Sequence, residues 1–190
     1  MKIRFFHCGE YGERNDRPHH HVCFFDFDLP DREFLKMSSD GKSRLYTSKF
    51  LDKIWGKGYC IIGDVPFESA AYVARYICKK VTGELADGFY EGRLPEYVTM
   101  SLKPGIGFGW YEKFHGSDVY ADDMVIVRGM KCKAPRYYDV KYELTSADRL
   151  FKLKEVRKLR TIKREDNHWR RLPAKEKVKE AQFKMLKRSV

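Results

Sequence analysis

A chain of 190 residues, 43% hydrophobic and 15% aromatic, can bury a core and fits one domain, or one domain with an extension, which sets aside a disordered tract. Its net charge of +11 favours a polyanionic partner, and the excess is local: residues 146–190 carry 16 of the 38 Lys/Arg but 6 of the 27 Asp/Glu. Five scattered cysteines without C-x-x-C spacing argue against a zinc ribbon and fit free thiols in a reducing cytosol, and neither a secretory leader nor an apolar run of the roughly 18 residues that a membrane span needs is present.

Residues 2–8 and 19–27 are β-prone runs joined by a polar, Gly-containing connection, and read as a β-hairpin with a long loop. Pro18 suits the first position of the second strand, where no ladder donor is lost. A polar stretch runs to Leu45, a short strand is expected near Tyr46, and Lys49 to Trp55 reads as a short helix. Residues 58–63 read as another strand. Pro66 and Glu68 open the next helix, which is expected to run to about Lys80 with Gly83 as its stop. Residues 84–135 read as loop-rich, with a strand-like Met124–Arg128; the Gly105-x-Gly107-x-Gly109 segment has neither the strand-turn-helix setting nor the Lys-Ser/Thr of a phosphate-binding loop, and reads as loop. From Ser146 the tail is expected to be helical, with Leu150, Leu153, Val156, Leu159 and Ile162 on one side, and a second helix over 174–187.

Three patterns carry chemistry. On a strand, His19 and His21 share a face while His20 points away, and two imidazoles about 7 Å apart can share a divalent ion. Glu10, on the strand entering the same turn, offers a carboxylate. His-x-His alone also occurs as a plain surface feature, and His7, three residues before Glu10, is expected to face the other way. The second pattern is Tyr72 and Tyr76, one helical turn apart; such rings usually pack in a core, but each hydroxyl needs a partner when buried. A phenol is about 0.1% ionised at neutral pH, so attack on phosphorus needs a base, cations or a polarised phosphate. Lys79 and Lys80, three and four residues on, are candidate cations. The third is the basic tail, a candidate for the phosphate backbone, with Tyr137, Tyr138 and Trp169 beside arginines as candidate base-stacking rings.

Gly9-Glu10-Tyr11-Gly12, Arg17-Pro18-His19-His20-His21 and Tyr72-x-x-x-Tyr76-x-x-Lys79-Lys80 together resemble the replication initiators of microviruses, most closely the gokushovirus branch, within the HUH endonucleases of rolling-circle replication. The residues around Lys103-Pro104-Gly105 and from Val127 to Tyr138 fit the same branch, so the resemblance spans roughly residues 3 to 145. It implies an α+β fold: an antiparallel sheet carrying the ligands, flanking helices, an endonuclease domain over residues 1–145 and a basic helical extension over 146–190. It implies Glu10, His19 and His21 as ligands of Mg²⁺ or Mn²⁺, Tyr72 and Tyr76 as nucleophiles leaving a 5′-phosphotyrosine and a free 3′-OH, and Lys79 and Lys80 as phosphate or phenolate stabilisers. The implied partners are a single-stranded DNA origin and the host replication machinery, in the cytoplasm of a bacterial host. Relatives carry a strand upstream of this hairpin, so by resemblance the first hairpin strand is expected to have an unpaired edge. A non-catalytic single-stranded DNA-binding protein and a related relaxase or transposase are the alternative readings.

Overall fold

The computed structural model describes residues 3–12, 15–76, 80–162 and 168–186. The architecture is α+β, with small antiparallel sheets and helices. It forms two compact units, one built from the chain up to Ile106 and one from Gly107 to Leu186. The expected boundary between 145 and 146 falls inside the second unit, at Ser146, whose φ of −150° and ψ of 51° interrupt a helix. No helix among the described residues is long and apolar enough to cross a membrane.

In the first unit, β1 (Arg4–Tyr11) and β2 (Pro18–Phe25) form the hairpin, with Glu10 opposite His19 and Cys8 opposite His21. The Gly12 N–H donates to the Arg17 carbonyl at 3.0 Å, closing the loop. Next come β3 (Glu33–Met37), β4 (Arg44–Thr47) and β5 (Ile62–Gly63), a second antiparallel sheet in the order β3-β4-β5. Between β4 and β5 lies α1 (Lys49–Trp55), where the buried Ser48 hydroxyl accepts the Leu51 N–H and Gly56 closes the far end in the left-handed region at φ 60°. Helix α2 (Phe67–Ala74) follows Pro66, and α3 (Ala86–Tyr90) follows a 3₁₀ turn. Strand β6 (Tyr97–Met100) then returns to pair with β1 over Phe6–Gly9, giving the order β2-β1-β6.

Two expectations are corrected here. Strand β1 is the middle strand of its sheet, because β6 occupies the edge expected to be unpaired. The α2 helix ends at Ala74, with Arg75 and Tyr76 in a tighter 3₁₀ turn and Lys80 outside any helix, although the sequence contains no Gly or Pro to stop it before Gly83.

Alternation divides the hairpin sheet into two faces. Phe6, Cys8 and Glu10 share one with His21, Cys23 and Val98; His7, Gly9, His20, Tyr97 and Thr99 share the other. On the first face Cys8, Cys23, Val73 and Tyr76 are buried together, with Phe6, Phe25, Tyr72 and Val98 packed around them. That core fixes α2 over the ligand strands, and burying Val73 alone contributes about 2 kcal/mol.

The second unit is built from α4 (Phe108–Phe114), a π-helical turn, α5 (Tyr120–Asp122), a hairpin of β7 (Val125–Val127) and β8 (Met130–Cys132), α6 (Arg136–Ile162) and α7 (Leu172–Met185). The Gly-rich segment expected to be loop ends in α4: Gly107, at φ 80°, is its N-cap. Arg128 and Gly129, both at positive φ, turn the β7–β8 hairpin. The core is rich in tyrosine: Tyr111, Tyr120, Tyr138 and Tyr142 with Val119, Ala134 and Leu150. Tyr138 therefore packs inside and is no base-stacking ring, whereas Trp169 is 68% exposed with the Arg170 guanidinium over it.

Helix α6 starts ten residues before the expected Ser146 and is bent there. A straight helix would hold Asp139 and Arg157 about 27 Å apart, yet Arg157 Nη1 donates to Asp139 Oδ2 at 2.7 Å. Lys154 and Glu143 pair at 3.1 Å. The two limbs of α6 thus run back along each other. Leu150 is fully buried and Leu153 packs on the core, but Val156 and Leu159 are exposed, so the expected apolar side is covered only near the bend.

Candidate functional site

The hairpin register sets three potential ligands side by side. Glu10 Oε1 lies 2.7 Å from His19 Nε2 and 3.1 Å from His21 Nε2, and one donor atom from each residue falls within 4.8 Å of the others. The Glu10 side chain is 2% exposed and those of His19 and His21 are 42% and 27%. The carboxylate therefore forms the floor and the imidazoles the open rim.

Hydrogen bonding gives the site a polarity that suits a cation. His19 Nδ1 is 3.1 Å from the Arg17 carbonyl, which can only accept, so Nδ1 carries the proton. In the neutral ring Nε2 is then a lone pair aimed at a carboxylate oxygen. Two acceptors facing each other at this distance need a shared positive charge, either a proton or a metal ion. Imidazole and carboxylate donors fit a divalent cation, with the Arg17 carbonyl as the outer partner that holds the ring.

Tyr76 stacks on the His21 ring, centroids 4.5 Å apart at an interplanar angle of 13°. Tyr72 meets Tyr76 edge-on at 4.9 Å and His21 at 6.1 Å. The two phenols differ in surroundings. Tyr76 is 5% exposed; burial pushes its hydroxyl well above the ordinary phenol range, helped by its hydrogen bond to Tyr72 and the Glu10 charge. Tyr72 is half-buried, with the Arg75 guanidinium 5.6 Å from its ring centroid. Of the expected cations, Lys80 is exposed, and Lys79 lies outside the described residues. Arg75 was missed in the sequence, although its spacing three residues from Tyr72 is a helical-neighbour signal.

His7 and His20 lie on the opposite face, as alternation requires. His7 Nε2 is 3.1 Å from His20 Nδ1 and His7 Nδ1 is 3.1 Å from the Thr99 hydroxyl. Burial and the His20 charge hold the His7 imidazole below its ordinary value. Tyr97 lies edge-on to His7 and packs over Gly9, where a Cβ would fall 2.6 Å from the ring. The first Gly of the Gly9-Glu10-Tyr11-Gly12 motif thus makes room for an aromatic ring from the neighbouring strand.

Residues 1–81 match the family of the replication-associated protein ORF2. The chain is 33% identical over 153 residues to Replication-associated protein ORF2 of Spiroplasma virus 4, covering 78% of this chain and 46% of that protein. It is 37% identical over 136 residues to Replication-associated protein VP4 of Bdellovibrio phage phiMH2K, 71% of this chain and 42% of the other. It is 30% identical over 157 residues to Replication-associated protein ORF4 of Chlamydia phage 1, 79% and 38%. The chain thus spans less than half the length of these relatives. No solved structure matches it.

Proposed function

Because the chain belongs with the replication-associated proteins of microviruses, we propose that it starts phage DNA replication by nicking and joining single-stranded DNA at an origin within the bacterial host. The observation that carries this reading is the meeting of Glu10, His19 and His21 with the Tyr72–Tyr76 pair on one sheet face. Acid-histidine donors beside a phenol are what phosphodiester transfer to tyrosine requires.

Glu10, His19 and His21 would hold Mg²⁺ or Mn²⁺, the imidazoles favouring Mn²⁺ and the phosphate substrate Mg²⁺. Bound there, the ion would polarise a non-bridging phosphate oxygen. The remaining work belongs to the chain. Tyr72, the more open phenol, attacks phosphorus; its oxygen forms the new O–P bond, the bond to the 3′ oxygen breaks, and that oxygen takes up a proton to become a 3′-OH. Arg75, beside the Tyr72 ring, and Lys80 offset the negative charge that builds on phosphate and phenolate. Tyr76, stacked on His21, holds the second phenol in reserve for the joining step.

The test is incubation of purified protein with single-stranded origin DNA and Mn²⁺, followed by a denaturing gel. A covalent protein–DNA adduct, lost with EDTA and in the Tyr72→Phe/Tyr76→Phe variant, is expected. DNA bound without any adduct would leave the non-catalytic binding reading instead.

A further inference from the structure

The second unit contains a cleft that the nicking chemistry does not use. It lies against the two limbs of α6, measures about 640 Å³ and is lined by five cationic side chains and two carboxylates. The carboxylates are already engaged: Asp139 is bound by Arg157, and Glu143 pairs with Lys154 at 3.1 Å. Lys133 and Arg136, both exposed, make no ion pair among the described residues. Lys158 pairs only with the exposed Glu155 of its own helix turn, a contact of little strength in water.

The positive charge of this cleft is therefore built in and only partly neutralised. The Arg157 anchor matters to that. It binds Asp123 and Asp139 at once, and so clamps the limbs while cancelling the acidic groups that would repel an anion. The cleft is wide enough for one or two nucleotides and carries donors rather than apolar walls.

We infer that this cleft takes the phosphodiester backbone of single-stranded DNA, as a phosphate-binding site separate from the ligand-and-tyrosine site. The inference rests on the reading of the protein as a DNA-processing enzyme, and it adds where the strand's backbone is gripped. Because both sites belong to one chain, a strand engaged by one meets the other at a raised effective concentration.

The experiment is a salt titration of the binding of the full chain to a labelled oligodeoxynucleotide, without divalent metal, for wild type, K133A/R136A and a charge-matched control, K177A/K184A, in exposed positions of α7. For K133A/R136A the log–log slope should become shallower by roughly 1.4, two contacts at about 0.7 each for a single strand, and affinity at 0.1 M salt should fall about tenfold or more. The control should change less than half as much. Equal losses in both variants would overturn the inference, since the charge would then act diffusely. Displacement of the oligonucleotide by millimolar inorganic phosphate at constant ionic strength would also overturn it, marking a free-anion site. Adduct yield at saturating DNA should be unchanged in K133A/R136A, so the cleft and the nicking chemistry can each fail alone.

Discussion

At Gly9 the first added carbon would collide with the Tyr97 ring. That ring is 44% exposed and can swing aside, so Gly9→Ala is expected to cost about 1 kcal/mol. In urea denaturation the loss should shrink when Tyr97→Ala is made as well, a coupling that a double-mutant cycle reads directly. Gly107 is less forgiving: its φ is 80° and a Cβ would meet the Tyr138 hydroxyl at 2.9 Å, so Gly107→Ala combines left-handed strain of about 1–2 kcal/mol with a clash in the tyrosine core. At the candidate site, Tyr76→Phe should retain adduct formation in a single round while Tyr72→Phe loses it; the reverse result on the gel would exchange their roles. The ligand face was legible from residue identity because a strand's period of two leaves no freedom once Glu10, His19 and His21 share a hairpin. Tyr97 was not, because no local pattern says which distant ring crosses a glycine.

Two limbs of one helix are held together by Arg157 across Asp123 and Asp139, with the Tyr120 hydroxyl donating to Asp139 at 3.0 Å. The Arg157 side chain is 17% exposed and that of Asp123 is 8%. Arg157→Ala leaves two carboxylates uncompensated and should cost about 3 kcal/mol in urea unfolding. The same network gives a pH signature. Burial opposes the Asp139 charge, but hydrogen bonds from Arg157 and Tyr120 outweigh it and hold the carboxyl below its ordinary value. A carboxylate depressed in the folded state stabilises above its unfolded pKa, about 3.9, and that stability is lost as pH falls through the lower folded value. Acid unfolding of wild type should therefore steepen below about pH 4, a feature absent from Asp139→Asn. Helix α1, with Ser48 before it and Gly56 after, was readable because its caps are in the sequence. Strand β6 was not: its four residues are too few for a period, and only pairing with β1 makes them a strand. The bend in α6 was equally hidden, since nothing at Ser146 breaks a helix by composition; ion pairs between its limbs do.

Charge is the property that spans the molecule. With a net +11, and most of the excess beyond residue 145, DNA binding should weaken steeply with salt whether or not the metal-binding residues are intact. His19→Ala with His21→Ala is expected to abolish metal-dependent cleavage while leaving most of that salt-sensitive binding, as measured by filter retention; equal metal-dependent cleavage by the variant would sink the ligand assignment. Composition alone made the partner class legible, whereas the division into two compact units was not, because the residues joining them carry no Pro- or Ser-rich linker. The sheet order adds a mechanical consequence. Glu10 sits on a strand flanked by β2 and β6, whereas His19 and His21 sit on β2, which among the described residues pairs on one side only. The site thus has one fixed jaw and one adjustable jaw. Cations of somewhat different radius can be gripped by a small shift of β2, and amide exchange along β2 should slow on metal binding more than exchange along β1.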